Sequence, residues 1–165
     1  LYNAQAKAAE LENERVEKFA EALLKRESDP FFWRPPNGET FTDLCLRVDR
    51  VLDTLHRECS DMRVVIVCHG EVMRAFQIRI ERMSQSRFRE LSASEKAEDR
   101  IYNYEVFHYS RRGKYGDITG NIATLNRIRP ASDPGWSSGT QPIKRASHSN
   151  EDLLRRVRKT PQLVG

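Results

Sequence analysis

A histidine followed by a glycine, His69 and Gly70, closes an apolar stretch and is the first candidate for chemistry in this sequence. The five residues before it, Val64–Cys68, are all apolar and mostly β-branched, which predicts a strand buried on both faces. After the glycine, apolar residues recur at spacings of three and four, which predicts a helix with one apolar face: Val72, Met73, Phe76, Ile80 and Met83. The predicted order is therefore strand, short turn and helix, with the histidine at the carboxyl end of the strand.

This arrangement suits an anion, and a phosphate group in particular. Ligands of open α/β sheets bind beyond the carboxyl ends of the strands, and the free N–H groups at a helix N-terminus favour negative charge. Gly70 suits a backbone that turns sharply or lets a ligand come close. A histidine at the end of a buried strand can equally serve packing alone, so the pattern by itself leaves both roles open for His69.

A second motif lies upstream, where Gly38, Glu39 and Thr40 precede an amphipathic helix. Thr40 and Asp43 have the spacing of a capping box, in which each side chain bonds the backbone N–H of the other residue. The helix is predicted to run through Glu58 on a regular apolar stripe: Phe41, Leu44, Cys45, Val48, Val51, Leu52 and Leu55.

Three adjacent aromatic residues stand just before this motif, in a segment whose prolines and Asn37-Gly38 predict a loop. Aromatic side chains in a loop need to be covered. Phe31, Phe32 and Trp33 either pack the loop onto the body of the protein or cover a ligand.

The two motifs together resemble the histidine phosphatase superfamily, also called phosphoglycerate mutase-like. A Gly-Glu-Thr start of an amphipathic helix and a hydrophobic strand that ends in Cys-His-Gly carry the resemblance, which spans about residues 31–112. The resemblance implies phosphoryl transfer from a phosphomonoester, as a phosphatase or a mutase, through a phosphohistidine. His69 matches the family's second histidine, which helps to hold the transferring phosphoryl group and stabilises its charge.

The resemblance also implies a set of residues that bind phosphate and substrate: Gly70, Glu71, Arg34, Glu39 and Asn103. The backbone N–H of Gly70 or Glu71 would cradle a phosphate oxygen, and the other three are rim groups. Asn103 lies where family members often carry an asparagine before the next strand. No cofactor and no metal is expected, since the family needs none and the three cysteines form no close pair.

The attacking histidine of the family, which belongs to an Arg-His-Gly motif at the end of the first strand, has no match in this sequence. The other histidines, His56, His108 and His148, fall in a helix, a strand and a serine-rich segment. The family's acidic motif between the two histidines has no convincing match either. Because the missing motifs belong N-terminal to those present, and the chain begins at Leu1, we interpret it as lacking an N-terminal piece. The alternative is a non-catalytic binding or regulatory relative that keeps the pocket.

The predicted fold class is α/β, a three-layer sandwich with a mostly parallel sheet flanked by helices and N-terminally incomplete. Residues 1–129 are predicted to form the histidine phosphatase-like domain, and 130–165 a basic, flexible tail. Further expected elements are helices at Ala4–Arg26, Ser84–Leu91 and Glu151–Lys159, strands at Tyr102–Tyr109 and Asn121–Ile128, and a linker at Pro130–Thr140. Without a first strand, Val64–Cys68 would expose apolar surface and unpaired backbone groups. The expected partner is therefore a completing N-terminal segment or a second copy of the chain.

Composition indicates a soluble globular protein, with 38% hydrophobic and 32% charged residues among 165. No apolar run approaches the ~20 residues of a membrane span, no signal peptide is visible, and unpaired cysteines suit a reducing compartment. We therefore expect a cytoplasmic protein without a membrane partner, whose substrate is a phosphorylated small molecule or a phosphoprotein. Residues 111–165 hold eleven basic and four acidic residues, a net charge of +7, but no recognised nucleic-acid motif is present, so nucleic-acid binding is not expected.

Overall fold

The computed structural model describes residues 20–60, 62–113, 115–145 and 148–159. Helical residues 20–28, labelled α1, come first. Helices α2 (Phe41–Glu58), α3 (Gly70–Glu81) and α4 (Gln85–Ala93) follow, then strands β1 (Val106–Ser110), β2 (Thr124–Arg129), β3 (Asp133–Ser137) and β4 (Gln141–Pro142), and helix α5 (Asn150–Lys159). The described part is therefore mixed α/β, as predicted. None of its helices has the length and apolar content that a membrane span requires.

The helix ends follow from local sequence. The Thr40 hydroxyl accepts a hydrogen bond from the Asp43 N–H at 3.0 Å, and the Asp43 carboxylate accepts one from the Thr40 N–H at 3.0 Å, which confirms the predicted capping box. Ser84 caps α4 in the same way by accepting from the N–H of Arg87 at 3.2 Å. Helix α3 ends at Arg82, whose φ of 53° is left-handed.

The predicted N-terminal helix is confirmed at 20–28, while its part before residue 20 lies outside the described residues. Helix α1 ends before Asp29-Pro30, as expected, because the residue before a proline is pushed out of helical geometry. The predicted helices at Ser84–Leu91 and Glu151–Lys159 are confirmed by α4 and α5.

The hydrophobic core lies between α2, α3 and α4. Its buried members come from the predicted apolar stripes: Phe41, Leu44, Cys45, Val48, Ala75, Phe76, Ile78 and Phe88. Phe31 packs against them, with its ring 5.7 Å from that of Phe41 and 5.3 Å from that of Phe88. Of the two roles considered for the aromatic loop, Phe31 has the packing role, while Phe32 stays half-exposed.

The sheet is antiparallel, so the predicted parallel sheet is wrong for the described residues. Strand β2 is central: β1 pairs along one edge from Val106↔Ile128 to Ser110↔Thr124, and β3 and β4 pair along the other edge. Residues 130–132 alone join β2 to β3, too short a connection for the crossover that parallel neighbours need. The antiparallel bridge Arg112↔Ile118 continues the reversal of the chain between β1 and β2. The three-layer arrangement stays a prediction.

The prediction of a buried strand at Val64–Cys68 is also wrong. These residues belong to no strand, and four of their side chains are exposed, with Val65 at 87% and Val67 at 92%. An apolar β-branched run specifies a strand only where neighbouring strands satisfy its backbone, and no described segment pairs with this one. These residues therefore present apolar side chains to solvent, and no described strand pairs with their backbone.

Two further predictions in the second half need correction. The strand expected from Tyr102 begins only at Val106, because Tyr104 has a left-handed φ of 59° that interrupts an extended chain. The linker expected at Pro130–Thr140 instead holds β3, and Asn121–Ile128 is consequently not the last strand. Pro134 fits within β3 because this strand lies at an edge of the sheet, where a missing N–H is tolerated.

A buried ionic cluster takes the place of an apolar core beside the sheet. The Glu105 carboxylate, fully buried, lies 2.7 Å from a guanidinium nitrogen of Arg127 and 3.5 Å from that of Arg129. Arg129 is stacked between the rings of Tyr102 and Trp136, at 4.1 and 3.8 Å from their centroids. The two aromatic faces stabilise the cation of Arg129, because Arg129 shares the single carboxylate of Glu105 with Arg127.

Candidate active site

His69 occupies the N-cap position of α3, with extended backbone angles of φ −93° and ψ 162°. Its imidazole makes no capping hydrogen bond and is exposed. The first hydrogen bond of the helix runs from the Met73 N–H to the His69 carbonyl at 2.9 Å, so the N–H groups of the preceding turn are free for a ligand. The histidine and the free donors thus lie at one helix terminus, as the sequence predicted.

Gly70 is the first residue of α3, and open space surrounds it. An added Cβ would meet no atom within 4 Å, and the φ of this glycine is not left-handed. The turn itself therefore does not require glycine here, in contrast to the expectation of a sharp turn. The absence of a side chain leaves the helix terminus accessible, which agrees with the close approach of a ligand.

Glu71 and Glu39 line a cavity of about 1140 Å³, whereas His69 and Gly70 are not among the residues that line it. The Glu71 carboxylate lies 3.9 Å from the guanidinium of Arg26 on α1, and Glu39 lies 2.6 Å from Arg47 on α2. The structure brings these two predicted residues together at one cavity, although each carboxylate already has a cationic neighbour.

Arg34 forms hydrogen bonds at the start of α2. Its guanidinium donates to the Gly38 carbonyl at 3.0 Å and to the Asp43 carboxylate at 2.6 Å. The pKa of Asp43 is lowered, chiefly by the hydrogen bonds from the Thr40 backbone and hydroxyl, with Arg34 adding to the effect. Gly38 is required here, since a Cβ would lie 2.4 Å from the Pro35 ring. Arg34 therefore supports the loop and is not among the residues that line the cavity.

Asn103 lies in the turn before β1, exposed and next to the left-handed Tyr104. It is not among the cavity-lining residues. Its predicted role at the rim stays a prediction, as do the roles of the other site residues.

The other histidines are exposed and lie on separate elements. His56 is on α2, His108 on β1 and His148 before α5. Two cysteines, Cys45 and Cys68, are poor nucleophiles, because burial raises the pKa of the Cys45 thiol to about 11 and also raises that of Cys68. All three cysteines are free. Within the described ranges, no group of three or more acidic, histidine or cysteine side chains could hold a metal ion.

Sequence reasoning missed two arginines that line the same cavity, Arg74 on α3 and Arg100 in the loop after α4. Arg74 is partly buried, and its burial, together with the charge of Arg127, lowers its pKa. Its position four residues after Gly70, one helical turn along α3, was a usable signal. Arg100 stands in a charged segment without periodicity, and nothing local distinguishes it.

The profile of the histidine phosphatase superfamily (branch 1) matches residues 7–106 of the chain, which is more than half of its length. The chain therefore belongs to the histidine phosphatase superfamily, and the resemblance of the two motifs is confirmed. Membership places it, in general terms, among proteins of phosphoryl-transfer chemistry. No curated protein and no solved structure gives a significant match.

Proposed function

We propose that this chain acts in phosphoryl transfer from a phosphomonoester, as part of a phosphatase or mutase that forms a phosphohistidine. His69 is the second histidine of the pocket, and the N–H groups of Gly70 and Glu71 cradle a phosphate oxygen. The observation that carries the proposal is the position of His69 at the N-cap of α3, exposed and without a capping bond, beside free backbone donors.

The geometry suits the chemistry. Phosphoryl transfer depends on positioning and on stabilising negative charge spread over the phosphoryl oxygens. Fixed N–H groups and the positive end of a helix supply that stabilisation without reorganising. An imidazole at the same place donates a further hydrogen bond to the transferring group.

The attacking histidine belongs, in this proposal, to an Arg-His-Gly segment outside the present sequence. Attack of its nitrogen on phosphorus forms the N–P bond as the ester P–O bond breaks, and the leaving oxygen takes a proton from an acid. Water, or a second acceptor, then attacks the phosphohistidine. The exposed Val64–Val67 stretch supports the proposal, since a strand from such a segment would cover it.

The variant His69→Ala tests the proposed role of His69, in a polypeptide that contains both the Arg-His-Gly segment and this chain. We expect turnover of a phosphomonoester such as p-nitrophenyl phosphate to fall by orders of magnitude while the circular dichroism spectrum stays unchanged. His56→Ala, an exposed histidine on α2, is the matched control and should retain activity. An unchanged rate in His69→Ala would show that His69 has no role in the transfer.

Acid-labile labelling separates the enzyme from a regulatory relative. Incubation with a ³²P-labelled phosphoester should give a phosphohistidine that survives base and is lost in acid. Phosphate binding at His69 without any such label would instead favour a non-catalytic protein that keeps the pocket.

A further inference from the structure

A second cavity, of about 530 Å³, lies at the opposite end of α3 from His69, and we call it the distal groove. Helix α3 has 12 residues, so at 1.5 Å per residue its two ends are about 18 Å apart. The groove is lined by the end of α3, Arg87 of α4, Leu125 of β2 and residues 141–144, and it shares no residue with the larger cavity. Its volume falls within the range of small-ligand sites, roughly 300–1,000 Å³.

One part of the distal groove is apolar. Met83, Leu125 and Ile143 are half-buried and come from three separate segments of the chain. Pro142 adds apolar surface and has no N–H, so β4 cannot donate a full set of hydrogen bonds to an added strand. The groove therefore suits the apolar body of a small ligand better than an extended peptide that pairs with the sheet.

Two cations of the groove, Arg82 and Lys144, have no anionic partner among the described residues. Both side chains are exposed, and within the described ranges neither forms a hydrogen bond or an ion pair. Arg87, by contrast, lies 2.9 Å from Glu90. The acid of the groove is Glu81, which accepts a hydrogen bond from a tyrosine hydroxyl of β1 at 3.0 Å. The two unpaired cations thus exceed this acid by one charge, which suits a monoanion.

The backbone that carries Arg82 is fixed by the end of α3. Its left-handed φ of 53° is a conformation that glycine and asparagine adopt more readily after a helix. The Arg82 N–H donates to the Arg79 carbonyl at 3.4 Å, and the Met83 N–H donates to the Ile78 carbonyl at 3.0 Å. These bonds close the helix and hold the first cation at one side of the groove.

The backbone of Lys144 is fixed by its two neighbours. The Ile143 N–H donates to the Ala123 carbonyl at 2.8 Å, next to β2. The Arg145 guanidinium donates to the Ile80 carbonyl of α3 at 3.0 Å. A backbone fixed before binding lowers the entropic cost of placing the Lys144 side chain on a ligand.

We infer that the distal groove binds a small amphiphilic carboxylate. The apolar body of the ligand contacts Met83, Leu125 and Ile143, and its carboxylate is bound by Arg82 and Lys144. A guanidinium offers a fork of N–H donors and an ammonium a compact charge, and both bind carboxylates. The inference does not depend on the proposed function, because the groove lies away from His69.

Octanoate and octanol share an apolar chain and differ in charge, so they test the inference when each is titrated into the full chain and followed by the NMR shifts of backbone amides. We expect octanoate to shift the amide signals of Met83, Leu125 and Ile143. It should bind about tenfold more tightly than octanol, the effect of one good charged contact. Butanoate, which keeps the carboxylate and loses half of the chain, should bind at least about tenfold more weakly than octanoate.

Lys144→Gln and Arg82→Asn should each reduce the preference for octanoate over octanol, and the double variant should abolish it while its affinity for octanol stays unchanged. Asparagine suits the left-handed backbone, so Arg82→Asn removes the charge without straining the fold. Arg50→Gln is the matched control, since Arg50 is exposed on α2 and lies outside the groove. It should retain the full preference.

Three results would overturn the inference. The first is equal affinity of the wild-type chain for octanoate and octanol. The second is a preference for octanoate that survives in the double variant. The third is a set of amide shifts confined to other parts of the chain, such as the exposed Val64–Val67 stretch.

Discussion

The helical region and the sheet region of this chain are held together by opposite kinds of side chain. Between α2, α3 and α4 the core residues are aromatic and aliphatic apart from Cys45. Beside the sheet they include Glu105, Thr124 and Arg129, with Arg127 almost as deeply placed. The first region is stabilised by removing apolar surface from water, the second by a network in which every charge depends on its partners.

This difference determines which substitutions destabilise each region. An apolar core loses stability in proportion to the atoms removed and to the cavity left behind. A buried ionic cluster can lose much more from a single change, because the remaining charges are left without compensation. Arg127 and Arg129 also donate to backbone carbonyls of the loop that carries Arg100. Both regions therefore affect the cavity, since residues of the helical core such as Phe41 and Phe88 line it directly.

Glu105→Ala should have the largest effect. It leaves the guanidinium groups of Arg127 and Arg129 without their shared carboxylate, and we expect a loss of about 3–5 kcal/mol in the free energy of unfolding. Glu105→Gln keeps the volume and part of the hydrogen bonding and should cost less. Urea denaturation measures both, and a loss of under about 1 kcal/mol in Glu105→Ala would show that the cluster behaves like a surface ion pair.

The same substitution at two valines should separate the core from the exposed stretch. Val48 is 3% exposed and Val67 is 92% exposed. Val48→Ala removes two buried methyl groups and should cost roughly 2 kcal/mol, whereas Val67→Ala should change stability by less than about 0.5 kcal/mol. Thermal unfolding of both variants checks the contrast. Equal losses would mean that Val67 is covered in solution, for example by a second copy of the chain.

Glu81 of α3 lies between the helical region and the sheet region. Its effect on the free energy of unfolding should be the smallest, and it should appear as a change of that free energy with pH. Burial, the largest cause, raises the pKa of its carboxyl, although Tyr109 of β1 donates a hydrogen bond to it at 3.0 Å. Burial, and then the neighbouring Glu81, raises the pKa of Tyr109 as well. Because the folded pKa of Glu81 lies above the unfolded one, its favourable contribution is complete below the unfolded pKa. That contribution is lost as the pH rises through the folded pKa.

Glu81→Gln should therefore flatten the fall in stability between pH 4.5 and neutrality. Unfolding free energies of the wild type and the variant, measured by urea denaturation across that range, provide the check. A variant whose pH dependence matches that of the wild type would contradict the assignment.

The helices were predictable because their signals are local. The capping box of Thr40 and Asp43, the apolar stripe after it and the serine before α4 each act within a few residues. The family was predictable for a similar reason, since its motifs are short runs around Gly38 and His69. The position of His69 at the N-cap of α3 follows from that local pattern.

The sheet was not predictable in the same way, because the partner that a strand needs can lie anywhere in the sequence. Val64–Cys68 has the composition of a buried strand and lies exposed, while 133–137, read as a linker, pairs with β2. The arginine cluster was equally hidden. Arg127 and Arg129 alternate with apolar residues as solvent-facing side chains do, and only the loop folded over them shows that they are buried.

The sequence by itself determined the helices, their caps, the family and the histidine at the start of α3, since these depend on residues close together in the chain. Tertiary structure alone decided which apolar stretch is buried, how the strands pair and which arginines face the cavity. The physical reason is that burial and hydrogen-bond satisfaction belong to contacts between distant segments. A sequence pattern specifies what kind of partner a segment requires, and the fold determines whether that partner is present.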